Sequence, residues 1–383
     1  MHPFLSYAAA RQKQIMALLR EMVECESPSN EPKAVNRFVD LLIDRTRDIG
    51  SAEVFRPAHF GKHARIEFKL PGKRRGKRKD GQLLALGHSD TVWPLGTIRQ
   101  MPFRQEGGRL WGPGVLDMKA GLAFFLYAVR MLRELDVPVD RRVALLVVSD
   151  EEVGSESSRA MTEAEARNSA AVLVLEPGAG LAGKLKTSRK GVGAFNLRVQ
   201  GQAAHAGVDF TNGASAIVEL ARQIEKIAGF TDLGRGITVN PGRISGGTRT
   251  NVVAAEAEVA IDVRVARERD AARLTKQFQK LRPVDKRCRL TVTGGLNRPP
   301  MEHTKAIAAL FAHAKELAVE LGVNLEESST GGGSDGNFTA AAGTPTLDGL
   351  GGVGEGAHAI NESILVDRIA DRTALLATLL QKL

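Results

Sequence analysis

Acids and histidines recur where the apolar runs of this sequence stop. The run Leu83–Leu86 passes Gly87 and meets His88 and Asp90, two positions apart and so on one side of an extended strand. "LWGPGVLDMKAG" delivers Asp117 ahead of a helical pattern, and "VALLVVSDEEVGS" ends in Asp150, Glu151 and Glu152. "AVLVLEPG" ends in Glu176, and "GVGEGAHAINE" offers His358 in a glycine-rich loop. Taken singly, each has an ordinary explanation: a hydrogen-bonded strand-end histidine, an N-cap aspartate, solvated paired glutamates. If the apolar runs share one sheet, however, these groups converge, and their crowded negative charge requires cations. Two histidines and three carboxylates form a ligand set for two zinc ions bridged by one carboxylate; three anionic ligands and one hydroxide balance two divalent ions. Spacing alone leaves both readings open.

The elements that must position these groups alternate in type. Helical apolar spacing covers Tyr7–Glu24, and the turn "SPSNEP" precedes a second helix through Ile43. Apolar runs at Ala64–Leu70, Leu83–Leu86, Val143–Val148 and Ala171–Leu175 read as strands, with a largely apolar helix over Met118–Leu135. Strands separated by helices predict an α/β domain whose mostly parallel sheet is covered on both faces, an α/β/α layering. Ligands of such sheets gather at the carboxyl edge, where His88 stands. After Glu176 the pattern changes. From about Arg189 to Thr293 the strands alternate ("GAFNLRVQG", "EAEVAIDVRV") around helices at Ala214–Ala228 and Glu268–Leu281. This β-α-β-β-α-β order predicts a two-layer α+β, ferredoxin-like insert. The expected organisation is residues 1–186 and 298–383 in one domain, interrupted by 187–297.

Composition narrows the function classes. At 383 residues, two domains are the natural expectation. The formal charge of +9 is concentrated in "KLPGKRRGKRKDGQ", Lys69–Gln82, which lacks interleaved aromatics and so offers bases no stacking platform. A solvated loop between two strands is expected there, with no nucleic-acid partner. No apolar run approaches the roughly 18 residues of a membrane span. Cys25 and Cys288 are the only cysteines, which gives no support for a disulfide. The opening stretch lacks the pattern of a secretory leader, so the expectation is a cytoplasmic protein.

The combination H-S-D, G-P-G-V-L-D-M-K-A-G, D-E-E-V-G-S, L-E-P, H-A-G and a final histidine resembles the M20 family of dinuclear zinc peptidases. The likeness is strongest to glutamate carboxypeptidases of the carboxypeptidase G type and extends over essentially the whole chain. The resemblance implies Asp117 as the bridging carboxylate. His88 and Glu176 would complete one zinc, Glu152 and His358 the other, with cobalt or manganese as substitutes. It also implies Asp90 as the carboxylate orienting His88, Glu151 as general base, and a cis Asp117–Met118 peptide. The insert becomes a lid and dimerisation domain of a homodimer. His205 of "GQAAHAG" would stabilise the oxyanion in the partner subunit's site. Asn251 and Arg264, in "RTNVVAAEAEVAIDVR", would contact substrate, and "GGGSDGNF", including Gly333, would be the loop that lets backbone N–H groups approach it.

The implied reaction is amide hydrolysis. Glu176, rather than aspartate, fits the carboxypeptidase and acylase branches of the family. Arg264, Arg298 in "GLNRPPMEH" and, more weakly, Lys184 are candidate cations for a substrate carboxylate. The reading is release of a C-terminal amino acid, glutamate favoured, from an N-acyl or peptide conjugate. The alternative is an N-acyl-amino-acid deacylase of aminoacylase, acetylornithine deacetylase or succinyl-diaminopimelate desuccinylase type.

Overall fold

A computed structural model describes residues 2–72 and 79–383. Residues 73–78 of the basic segment Lys69–Gln82, where a solvated loop is expected, therefore lie outside the described residues. The chain divides into two compact units. The first runs to Ser188 and resumes over His303–Ser329 and Ser334–Leu383; the second comprises Arg189–Glu302 and Thr330–Gly333. No helix among the described residues is long and apolar enough to cross a membrane.

The first unit is built on a six-stranded sheet. Its strand order is Gly50–Phe55, His63–Phe68, Arg142–Val148, Gln82–His88, Ser169–Val174 and Thr346–Leu347. The last four are mutually parallel, while the Gly50–Phe55 and His63–Phe68 strands form an antiparallel edge. The mostly parallel α/β sheet expected from the sequence is thus present. Its strands are near-continuous apolar runs because both faces are covered. Leu83 and Ala85 enter one core with Phe124, Phe125 and Leu375, whereas Leu84 and Leu86 enter a second with Ala166. The helices Ala120–Glu134 and Ile369–Lys382 are buried along most of their lengths against each other and the sheet. Each fully buried leucine contributes about 1.5–3 kcal/mol.

A four-stranded antiparallel sheet joins distant sequence. Gly354–Glu355 pairs with Ser363–Leu365, which pairs with Arg109–Trp111, which pairs with Arg104–Glu106. It brings the loop containing His358 beside the turn that leads to Asp117.

The second unit has strands Gly191–Gln200, Thr238–Gly246, Glu256–Val265 and Arg289–Arg298, with helices Ala216–Ala228 and Glu268–Gln279. The strands run in the order second, third, first, fourth, all neighbours antiparallel. This is the ferredoxin-like layout that the alternating pattern implies. Ser215 caps its first helix by accepting the Val218 N–H at 3.3 Å.

One expected element divides. The Tyr7–Glu24 helix is two helices, Pro3–Ala10 and Gln12–Glu24, separated by Arg11 at φ −99° and ψ 4°.

Candidate metal centre

Three adjacent parallel strands end together, His88 standing opposite Val148 and Leu86 opposite Val174. His88, the turn Glu151–Val153 and Glu176 therefore emerge at one carboxyl edge. The backbones fit because side chains are missing where they cross: a Cβ at Gly121 would lie 2.0 Å from the Leu175 carbonyl, and one at Gly351 would lie 2.2 Å from it. The start of the Ala120–Glu134 helix and the Gly351 loop thus close on the backbone of Glu176.

Asp117 stands at the middle of the cluster. Its Oδ1 is 3.1 Å from His88 Nε2, and its Oδ2 is 3.4 Å from His358 Nε2. His88 Nε2 is 3.5 Å from Glu176, and His358 Nε2 is 3.2 Å from Glu152. The five residues expected as ligands are thereby brought together, with a different histidine on each oxygen of Asp117. Ligand atoms of His88, Asp117 and Glu152 lie within 4.8 Å of one another, as do those of His88, Glu151 and Glu176. The Asp117–Met118 peptide is cis.

Asp90 is placed differently from the expectation. His88 Nδ1 donates to the Asp90 backbone carbonyl at 2.9 Å, whereas the Asp90 carboxylate lies 3.6 Å away. That buried carboxylate instead accepts the backbone N–H groups of Glu151 at 3.3 Å and Glu152 at 3.2 Å, and the Ser29 hydroxyl at 2.7 Å. The residue orients the imidazole with its backbone and the glutamate turn with its side chain. With Nδ1 engaged as a donor, neutral His88 presents its lone pair at Nε2, toward Asp117 and Glu176.

The electrostatics report crowded anions. Burial acts most strongly on His88 and lowers its pKa, yet hydrogen bonds to Asp117 and Glu176 outweigh it and hold the pKa well above the usual value. His358 is raised to about 10, by its hydrogen bonds to Asp117 and Glu152. Burial opposes ionisation of Asp117, but the two histidines hold its carboxyl well below the usual range. Glu152 is raised by burial against the pull of His358.

The cluster fits divalent ions on its dimensions as well as its chemistry. Zinc bonds of about 2.0–2.2 Å at tetrahedral angles set neighbouring ligand atoms about 3.3–3.6 Å apart. The nitrogen-to-oxygen separations here are 3.1, 3.5, 3.4 and 3.2 Å. Imidazole and carboxylate donors also suit this class of cation.

Comparison with known proteins gives the family. The model for peptidase family M20/M25/M40 matches residues 84–382. This chain belongs to that family. It is accordingly a hydrolytic metallopeptidase. Carboxypeptidase G2 of Pseudomonas sp. (strain RS-16) is 29% identical over 98% of this chain and 91% of its own length. Succinyl-diaminopimelate desuccinylase of Psychrobacter sp. is 26% identical over 98% and 97%, respectively. The M20 chain also shares its fold with aminopeptidase PepT from Bacillus cereus, at a TM-score of 0.77, 23% identity and coverage of 97% and 98%.

The remaining expected residues of this M20 chain lie in its second unit, Lys184 excepted. His205 is exposed, and its Nδ1 accepts the Gly207 and Val208 N–H groups, each at 3.2 Å. Neutral His205 would therefore carry its proton on Nε2. Asn251 lies beside it, accepting the Ala206 N–H on its carbonyl at 3.0 Å. The Arg264 fork is held by Asp262 through contacts of 2.9 Å from Nε and from Nη2. Arg298 is buried, donates to the Asn297 side chain at 3.0 Å, and packs so closely on Gly333 that a Cβ there would lie 2.9 Å from its Cδ. Lys184, in the first unit, pairs with Glu326 at 2.6 Å.

Sequence reasoning missed Glu362 and Arg372. Glu362 is wholly buried and accepts four N–H groups, one of them from Asp117. Arg372, also wholly buried, donates to the carbonyls of Gly183, Gly349 and Gly351. An arginine immediately before the apolar run "TALLATLL", on the same helix, was the available signal for Arg372. Glu362 had a weaker one, an acid closing the His358 loop.

Proposed function

We propose that this chain is a dinuclear zinc-dependent hydrolase that releases a C-terminal amino acid, glutamate favoured, from an N-acyl or peptide conjugate. The observation that carries the reading is Asp117, with a separate histidine on each carboxylate oxygen. His88 and Glu176 would hold one ion, Glu152 and His358 the other, and Asp117 both. When bound, the ions polarise the scissile carbonyl and acidify the attacking water. Glu151 is the general base, taking a proton from that water and delivering it to the leaving amine nitrogen. Its backbone is anchored on Asp90, and its carboxylate lies within 4.8 Å of ligand atoms of His88 and Glu176.

The inserted segment, residues 187–297, serves in this reading as lid and dimerisation domain of a cytoplasmic homodimer. Its edge strand Thr238–Gly246 leaves Arg243–Gly246 exposed, as a pairing edge would be. His205 Nε2–H supplies a donor for the oxyanion of the partner subunit's substrate. Arg298 presents a cation to the substrate carboxylate, with Arg264, whose guanidinium Asp262 already engages, Asn251 and Gly333 as further contacts. The near-full-length likeness to carboxypeptidase G2 supports the carboxypeptidase branch. The comparable coverage of the desuccinylase favours a second reading, an N-acyl-amino-acid deacylase. A panel of N-acylated amino acids varied independently at acyl and amine sides separates them. Activity following the amino acid is expected; activity that follows the acyl group and ignores the amino acid overturns the carboxypeptidase reading.

A further inference from the structure

Glu362 gathers four donors on one carboxylate. Oε1 accepts the backbone N–H of Leu116 at 2.9 Å and of Asp117 at 3.1 Å. Oε2 accepts the Gly114 N–H at 2.8 Å and the Trp93 indole N–H at 2.7 Å. The residue stands four positions after His358, at the entry to the Ser363–Leu365 strand, and its own carbonyl accepts the Gly112 N–H at 3.4 Å. One residue thus clasps the Gly112–Asp117 turn and belongs to the loop that presents His358.

The two histidines depend on this clasp unequally. His88 is held to Asp117 by independent means: Nδ1 is fixed on the Asp90 carbonyl, and the His88 N–H meets Met118 Sδ at 3.2 Å. His358 lies in a loop, in a left-handed conformation with φ 63°, and its side chain is 51% exposed. The chemistry of the clasp is also specific. All four partners are donors, and a carboxylate accepts on both oxygens. A glutamine of the same shape would set its NH2 against two N–H groups in either orientation.

We propose that Glu362 is a positioning residue that fixes the spacing of Asp117 and His358 and thereby sets the affinity for the ion on the His358 side. The inference rests on the dinuclear reading above. It is tested by titrating Co2+ into the metal-free protein, followed by calorimetry and by the visible absorption of bound cobalt. Wild type should take up two equivalents. In Glu362→Gln the first should bind as in wild type, and the second should weaken by about 10–100-fold, the usual loss when a group behind a ligand is removed. Glu362→Asp, which keeps the charge but falls one methylene short, should lie between them. Trp93→Phe removes one donor without touching the turn, and should weaken the second equivalent by less than about tenfold. If both equivalents bind Glu362→Gln as they bind wild type, while only thermal stability falls, Glu362 is a structural brace and the proposal is overturned. Equal weakening of both equivalents overturns its assignment to the His358 side. Should Glu362→Gln not fold, unchanged second-ion affinity in both Glu362→Asp and Trp93→Phe overturns it likewise. Wild type binding fewer than two ions removes the dinuclear reading itself.

Discussion

Replacing Arg372 by methionine tests how the Glu176 end of the cluster is held. The guanidinium donates through Nε to Gly351 at 3.1 Å, through Nη1 to Gly183 at 3.0 Å, and through Nη2 to Gly349. The Gly351 N–H in turn donates to the Glu176 carbonyl at 2.8 Å. Burial lowers the Arg372 pKa to about 10, so the side chain remains cationic at neutral pH. A hydrogen bond to a charged group contributes about 1.5–3 kcal/mol, so three contribute about 4.5–9 kcal/mol. Methionine also relieves the guanidinium's desolvation, a penalty of several kcal/mol. The expected net loss is about 2–5 kcal/mol, a large fraction of the roughly 5–15 kcal/mol that holds a typical domain folded. Urea unfolding of the metal-free protein at pH 7, followed by circular dichroism, reads this as a lower midpoint at unchanged slope. Arg372→Lys should recover little, since an ammonium does not fork. A loss under about 0.5 kcal/mol in Arg372→Met, the range of ordinary surface changes, would refute the reasoning.

Four further outcomes are expected. Glu151→Gln should keep both ions by metal analysis while kcat drops by about 10²–10⁴, the usual contribution of a positioned base; near-wild-type kcat would place the base elsewhere. A chelator should strip the ions in two phases, because the side chain of His88 is 2% exposed and that of His358 51%; single-phase loss of both would count against unequal sites. His63 accepts the Ser149 N–H at Nδ1 and contacts Ser157 Oγ through Nε2, and burial, only partly offset by Asp150, holds its pKa below the usual 6.5. The unfolded chain then binds that proton more readily, so His63 contributes stability above about pH 6.5 that is lost as the pH falls through its lower folded value. The stability difference between wild type and His63→Gln should shrink from pH 7 to pH 5, and a constant difference would exclude this origin. Gly351→Ala drives a Cβ to 2.2 Å from the Leu175 carbonyl and 2.9 Å from that of Glu176, so it should lower both stability and metal affinity. Unchanged metal uptake would show that the Glu176 backbone tolerates the shift.

The parts legible in the sequence are those set by local pattern. Buried parallel strands must be apolar at every position, so Leu83–Leu86 and Val143–Val148 read as strands without reference to neighbours. Strands half covered by helices alternate, as Glu256–Val265 does. Polar residues at strand ends were conspicuous against that background, and the structure gathers His88, Asp117, Glu152, Glu176 and His358. What was not legible depends on backbone groups that exist only once the chain has folded. The Asp90 side chain finds the N–H groups of Glu151 and Glu152, 61 and 62 positions away, where the i, i+2 spacing pointed only to His88. Glu362 and Arg372 likewise act on turns whose donors and acceptors no residue-type pattern displays. Arg264 carries the same lesson: its sequence suggests a fork for a substrate carboxylate, but a strand sets Asp262 on the same face, where it engages the guanidinium.

The first unit is closed only by sequence lying beyond the inserted one. A chain still attached to the ribosome, with the insert just made, already has Asp117, Glu152 and Glu176, but only one of the imidazoles that face them. His358 and the two buried clamps, Glu362 and Arg372, have yet to be translated. Such a half-made chain carries the acids of the cluster without its geometry, which is complete only once His358 meets Asp117 and Glu152.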